Sequence, residues 1–117
     1  MLVAAEIAVP MAAGQTQGAM GDRSAVLYEN ADRDLAALYG NLVAKITREG
    51  QISLQAAQAT WAQFRDQECA FETVGSRGGS VNRMALYDCK ARLTQARIAE
   101  LKRQLNCEEG DVSCGNQ

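Results

Sequence analysis

The chain has 117 residues, 12 lysines and arginines against 14 aspartates and glutamates, four cysteines, one proline, one tryptophan and no histidine. That length fits one domain with a core of its own. Without histidine the usual general base, the usual partner of a nucleophilic serine or cysteine and the commonest zinc ligand are missing, so most hydrolase mechanisms are disfavoured; a net charge of −2 argues against a protein whose main task is to bind nucleic-acid phosphates.

In chain order, Met1 to Ala13 reads MLVAAEIAVPMAA, an apolar stretch with no basic residue before it and with Glu6 inside it. It reads as the remnant of a signal peptide or as a flexible leader. Gly14 to Gly21, rich in Gly, Gln and Ala, reads as a flexible lead-in, which sets residues 1–21 apart from a helical domain over 22–106. No stretch approaches the roughly 18 apolar residues that a membrane span requires.

From Asp22 to about Arg48, Leu27, Leu35, Leu38, Tyr39, Leu42 and Ile46 recur at three- and four-residue steps and predict a first helix, with Gly50 as a residue suited to a left-handed helix end. A second helix is predicted from about Ile52 to Thr73, with Ser53 as N-cap and Leu54, Ala57, Trp61, Phe64 and Phe71 on one stripe. Those three aromatics at helical spacing read as core. Gly75-Ser76-Arg77-Gly78-Gly79-Ser80 breaks the pattern, because three glycines in six residues make continued helix costly. Ser80 is the expected cap of a third helix running to about Asn106, with Met84, Leu86, Leu93, Ile98, Leu101 and Leu105 among its apolar residues. The tail over 107–117, CEEGDVSCGNQ, has turn composition and two cysteines. Three helices with short connections predict an all-α, antiparallel three-helix bundle.

The cysteines, at 69, 89, 107 and 114, include no CxxC pair, so neither a four-cysteine zinc site nor thioredoxin-like chemistry is expected. An even count in a short chain favours disulfides and an oxidising compartment, with free buried thiols as the alternative. Four cysteines allow three connectivities. Cys69 with Cys89, and Cys107 with Cys114, is favoured, since Cys69 and Cys89 lie roughly level across a hairpin of the second and third helices. Such a bridge pins the hairpin and stabilises it by about 3 kcal/mol in the chain-entropy account.

Charge is unevenly spread. Residues 75–106 carry Arg77, Arg83, Lys90, Arg92, Arg97, Lys102 and Arg103 against Asp88 and Glu100, whereas the second helix is acidic. Helix-to-helix complementarity is the simpler reading and a basic recognition face the sharper one. Arg65 and Arg97 fit ion-pair or capping groups between helices, with Asp66, Glu68 or Asp32 as partners; the functional alternative is entry of either arginine into a partner's acidic cleft. Glu68 and Glu72 share a helix face, but one turn of separation does not make a catalytic carboxylate pair. Gly78-Gly79-Ser80 precedes a helix but lacks the strand, lysine and spacing of a phosphate loop.

The second helix contains AQATWAQFRDQEC over 57–69, followed by Gly78-Gly79-Ser80, Cys89 and Thr94-x-x-Arg97-x-x-x-Leu101. Together with Ala31-Asp32-x-x-Leu35-x-x-x-Tyr39-x-x-Leu42, this order resembles the LprI-like lysozyme-inhibitor family of bacterial secreted and envelope proteins. The resemblance spans about residues 31–101, and its motif residues here are Asp32, Tyr39, Gln58, Trp61, Arg65, Asp66, Thr94 and Arg97. Two departures stand out: Ala36 occupies a position where the family often has Asn, and no cysteine precedes Asp32. The resemblance implies a secreted or periplasmic protein that acts by binding, with lysozyme or another wall-lytic muramidase as partner, no enzymatic activity and no cofactor. The turn carrying Arg77, Gly78, Gly79 and Ser80 is the expected contact, because catalytic carboxylates attract a guanidinium. The alternative is an envelope structural or interaction module without lysozyme affinity, which uses the basic face of the third helix.

Overall fold

The computed structural model describes residues 16–108 and 110–115. Three long helices follow one another: α1 (Gln17–Val43), α2 (Arg48–Glu72) and α3 (Asn82–Leu105), with one 3-10 turn at Val74–Ser76. The leader expected over residues 1–15 lies outside the described residues. From Gln17 onward the expected flexible lead-in is helix, because Thr16 caps it by accepting a hydrogen bond from the Ala19 N–H at 3.1 Å.

The α1–α2 junction falls earlier than the sequence predicts. Helix α1 ends at Val43, where the Gln51 side chain donates to the Val43 carbonyl, and α2 begins at Arg48. Thr47, not Ser53, is the N-cap, and it accepts from the Gly50 N–H at 3.1 Å. Gly50 therefore sits buried in the first turn of α2 and does not end α1. Helix α3 starts at Asn82 with Val81 at its cap position and no side-chain cap bond, so Ser80 does not cap it.

Helices α1 and α3 pack closely along their lengths and run in the same direction. Gly21 and Asp22 lie against Arg83, the Tyr28 and Tyr87 rings sit 5.8 Å apart, and the Lys45 ammonium donates to the Leu105 carbonyl at the far end. Small residues allow the close approach in the first half: Gly21, Ser24, Ala25 and Ala31 of α1, with Ala91 and Thr94 of α3, are buried. A Cβ on Gly21 would come within 2.8 Å of the Arg83 guanidinium. In the second half Leu35, Leu38 and Leu42 meet Leu101, and Tyr39, Leu54, Trp61, Ile98 and Leu105 pack around them.

Helix α2 runs antiparallel to both and buries far less, only Gly50, Arg65 and Cys69 along its length. The Cys69–Cys89 disulfide joins it to α3 across a Cα separation of 5.6 Å, and Cys107 pairs with Cys114 to close the tail. Both expected pairings are present.

Of the three aromatics expected in the core, only Trp61 is partly buried. Phe64 and Phe71 are 53% and 72% exposed. Neighbouring helix positions differ by about 100°. Turning Arg65 and Cys69 inward therefore turns Phe64 and Phe71 outward. Leu27, expected on the inner face of the first helix, is likewise half exposed, since the inner face there is Ser24, Ala25 and Ala31.

Leu101 is 2% exposed at the centre of the leucine cluster. Leu101→Ala is expected to cost about 2–5 kcal/mol, read as a lower denaturant midpoint at unchanged slope.

Candidate functional site

Two constellations carry the distinctive residues. The first is internal. Gln58, Trp61 and Arg65 occupy one face of α2 at three- and four-residue steps; Arg65 meets Tyr28 and Asp32 of α1, and Gln58 and Trp61 meet Arg97 of α3. Arg65 is 9% exposed. Its guanidinium lies 5.3 Å from the Tyr28 ring centre and 5.1 Å from that of Trp61, and its Nε donates to Asp66 at 2.9 Å, with Asp32 3.8 Å away. A buried cation requires such compensation, and ring faces supply part of it.

The stacking continues on both sides. Lys90 lies over both Tyr28 and Tyr87 and 3.8 Å from Asp66; Arg97 lies over Trp61. Arg97 donates to Gln58 Oε1 at 2.9 Å and to Glu100 at 3.1 Å, so its partners are not the acids expected from the sequence. Six of the eight motif residues, Asp32, Gln58, Trp61, Arg65, Asp66 and Arg97, are thus joined in one network across the helix interfaces, and Tyr39 packs on the leucine cluster. Thr94 is fully buried, and its hydroxyl has no hydrogen-bond partner among the described residues. Sequence reasoning missed Tyr28, Tyr87 and Lys90. The only local signals are the four-residue step from Tyr28 to Asp32 and the three-residue step from Tyr87 to Lys90.

Three of the six basic residues of α3 pair with acids of the other helices: Arg83 with Asp22 at 2.7 Å, Lys90 with Asp66, and Arg92 with Glu72 at 2.6 Å. This is the complementarity expected from the charge pattern. Glu68 and Glu72 act on each other. Their mutual hydrogen bond raises the Glu68 carboxyl above its ordinary value and lowers that of Glu72, which Arg92 lowers further.

The second constellation is the tip between α2 and α3. Arg77, Gly78, Gly79 and Ser80 are all exposed, and Gly78 has φ +81°, which glycine adopts without strain. The tip is nevertheless tied down. Thr73 donates to the Cys69 carbonyl at 2.7 Å, and the Asn82 amide bridges the Thr73 carbonyl and the Ser76 hydroxyl at 3.3 and 3.1 Å. The Cys69–Cys89 bridge lies directly below.

A groove of about 730 Å³ runs between the start of α2 and the end of α3, floored by Leu42, Leu54 and Leu101 and edged by Arg97, Arg103 and the tail. Gln104 holds the tail there through the Ser113 carbonyl and the Gly115 N–H. Cys107, Asp111 and Cys114 come close enough for metal ligation, but both sulfurs are committed to a disulfide, which leaves no thiolate to bind.

The sequence matches the family model described as lysozyme inhibitor LprI over residues 10–101. The chain belongs to the LprI lysozyme-inhibitor family. It is also similar to an uncharacterised protein of Rhizobium meliloti (strain 1021), 39% identical over 57 residues. That match covers 49% of this chain and 41% of the relative, so the chain spans less than half of the relative's length. No solved structure matches. The family model takes in both constellations, the internal cluster and the tip.

Two outcomes test the internal cluster. Arg65→Lys, which keeps the charge but loses the flat guanidinium stacked on two rings, is expected to lower stability by about 1–2 kcal/mol in thermal unfolding. Tyr28 has its hydroxyl pKa raised, by burial first, against the opposing effect of Arg65. The folded state therefore holds that proton more tightly than the unfolded chain. The associated stability is complete below the unfolded-state pKa and is lost as pH rises through the folded one. Melting curves taken from about pH 9 to about pH 11 should show a shallower alkaline loss for Tyr28→Phe than for the parent chain.

Proposed function

We propose that this protein is a secreted or periplasmic inhibitor of a lysozyme-type muramidase and that it acts by inserting the tip around Arg77 into the enzyme's cleft. Family membership supports the partner class, and two disulfides suit an oxidising compartment. Among the described residues no helix is long and apolar enough to cross a membrane.

The observation that carries the tip is its combination of exposure and internal bonding. A guanidinium on a projecting loop normally loses conformational freedom when it binds. Here the Thr73, Ser76 and Asn82 bonds and the disulfide beneath have already fixed the backbone that presents it. A retaining muramidase places two carboxyl groups about 5–5.5 Å apart in its cleft, one of them ionised, and a guanidinium is attracted to that charge. Nothing in this account requires catalysis by the inhibitor itself.

The test is inhibition of a c-type lysozyme in a cell-wall turbidity assay. The oxidised protein is expected to inhibit, and a reduced and alkylated sample to lose inhibition, because α2 buries too little to hold the tip without the bridge. Arg77→Ala is expected to weaken inhibition by about tenfold or more at an unchanged melting temperature, the side chain being exposed. An unchanged inhibition constant would remove the tip from the contact.

A further inference from the structure

Helix α2 presents an outward ridge that runs into the tip and carries two phenylalanines, with Gln67 and Glu68 between them. Phe64 and Phe71 are two turns apart on one face, about 10.5 Å along the axis, and Val74 follows one turn later. They are 53%, 72% and 51% exposed. Val81, just past the tip, is 36% exposed. Large side chains scattered singly on a surface need no explanation, but a row that ends on a fixed loop with a projecting cation does.

We propose that this ridge is the apolar half of the enzyme contact and that its occupant is the apolar wall of the muramidase cleft beside the catalytic carboxyls. This inference rests on the reading of the tip as the inserted element, and it adds the residues that set affinity.

The chemistry of the cleft supports that occupant. A muramidase needs one carboxyl kept protonated near neutral pH, and it achieves this by seating that group against apolar and aromatic walls while the second carboxyl stays ionised. The complementary surface is a cation near apolar side chains, and here Arg77 follows Val74, whose carbonyl accepts the Arg77 backbone N–H at 3.2 Å, with Phe71 three residues before Val74 in the chain. Apolar neighbours that exclude water also strengthen the central ion pair, as in the rings around interface hot spots. Glu72 is engaged by Arg92, and Asn82 is used in holding the loop.

The inference separates two contributions that differ in salt dependence. Binding by Arg77 is electrostatic and weakens as ions screen it, whereas binding by Phe71 is a burial of apolar area and does not. Calorimetry with a c-type lysozyme, at low salt and at about 1 M salt, is run on the parent chain and on Phe71→Ser, Phe64→Ser and Arg77→Ala. Val26→Ser, a change at an exposed residue on α1, serves as control. Phe71→Ser is expected to weaken binding by about tenfold or more at both salt concentrations, with an unchanged melting temperature, and Val26→Ser to leave it unaltered. The loss from Arg77→Ala is expected to shrink at high salt.

Parent-like affinity in both phenylalanine variants, with affinity lost in Arg77→Ala, overturns the ridge while the tip reading stands. No binding by the folded, oxidised parent overturns both. Sedimentation of the chain alone closes the remaining possibility: self-association abolished by Phe71→Ser would assign the ridge to a second copy and overturn the proposal.

Discussion

Helix α2 is held by a buried cation and a disulfide in place of a continuous apolar seam. Its inward residues are Gly50, Arg65 and Cys69, with Leu54 and Trp61 partly covered. The α1–α3 pair has what α2 lacks, namely small residues that let the backbones approach and a cluster of four leucines. A third helix with so little to bury is marginal by itself. Arg65 makes it possible by meeting two rings and two carboxylates at once, which offsets the cost of removing a guanidinium from water. The Cys69–Cys89 bridge then fixes the end of α2 that carries the tip.

The same constraint accounts for the outward aromatics. A helix shows only one face to a two-helix platform, and the face chosen contains Arg65 and Cys69. Phe64 immediately precedes Arg65, and Phe71 follows Cys69 by two residues, so both fall on the free side. In a chain whose aromatic content is only 5%, leaving two phenylalanines in water is a considerable loss of burial. The ridge is therefore tied to the packing arrangement and is not an accident of an isolated surface residue.

How far the sequence shows this structure depends on the kind of signal. Three helices, their order and the cysteine pairings follow from periodicity, the glycine-rich break and the level spacing of Cys69 and Cys89. The α1–α2 boundary was harder to place, because Gly50 reads as a stop and only the Thr47 cap makes it a first-turn residue. Periodicity also could not choose between two overlapping stripes on α2, one through Phe64 and Phe71 and one through Arg65 and Cys69. Apolarity favours the first and tertiary packing selects the second. The motif residues were visible as a set, but their convergence on Tyr28, Tyr87 and Lys90 was not, since no local spacing links residues on three helices.

The two constellations divide the work of the molecule. Motif residues Trp61, Arg65 and Arg97 lie largely in the helix interfaces, where they hold α2 to its neighbours, and Thr94 is buried on α3; Arg97 also edges the open groove. Shared motif residues therefore argue for a shared scaffold, and the activity depends on what the scaffold presents. On the proposed reading that is the tip and the ridge beside it, positioned by the disulfide and by the Thr73 and Asn82 bonds. On the same reading, substitutions along Phe64, Phe71, Val74 and Arg77 would alter the partner while Arg65 and its rings remain, because exposed positions carry little of the folding energy. Membership in the family and affinity for a particular partner are for that reason separable physical properties, the first written largely in the helix interfaces and the second, on the proposed reading, on one edge of α2.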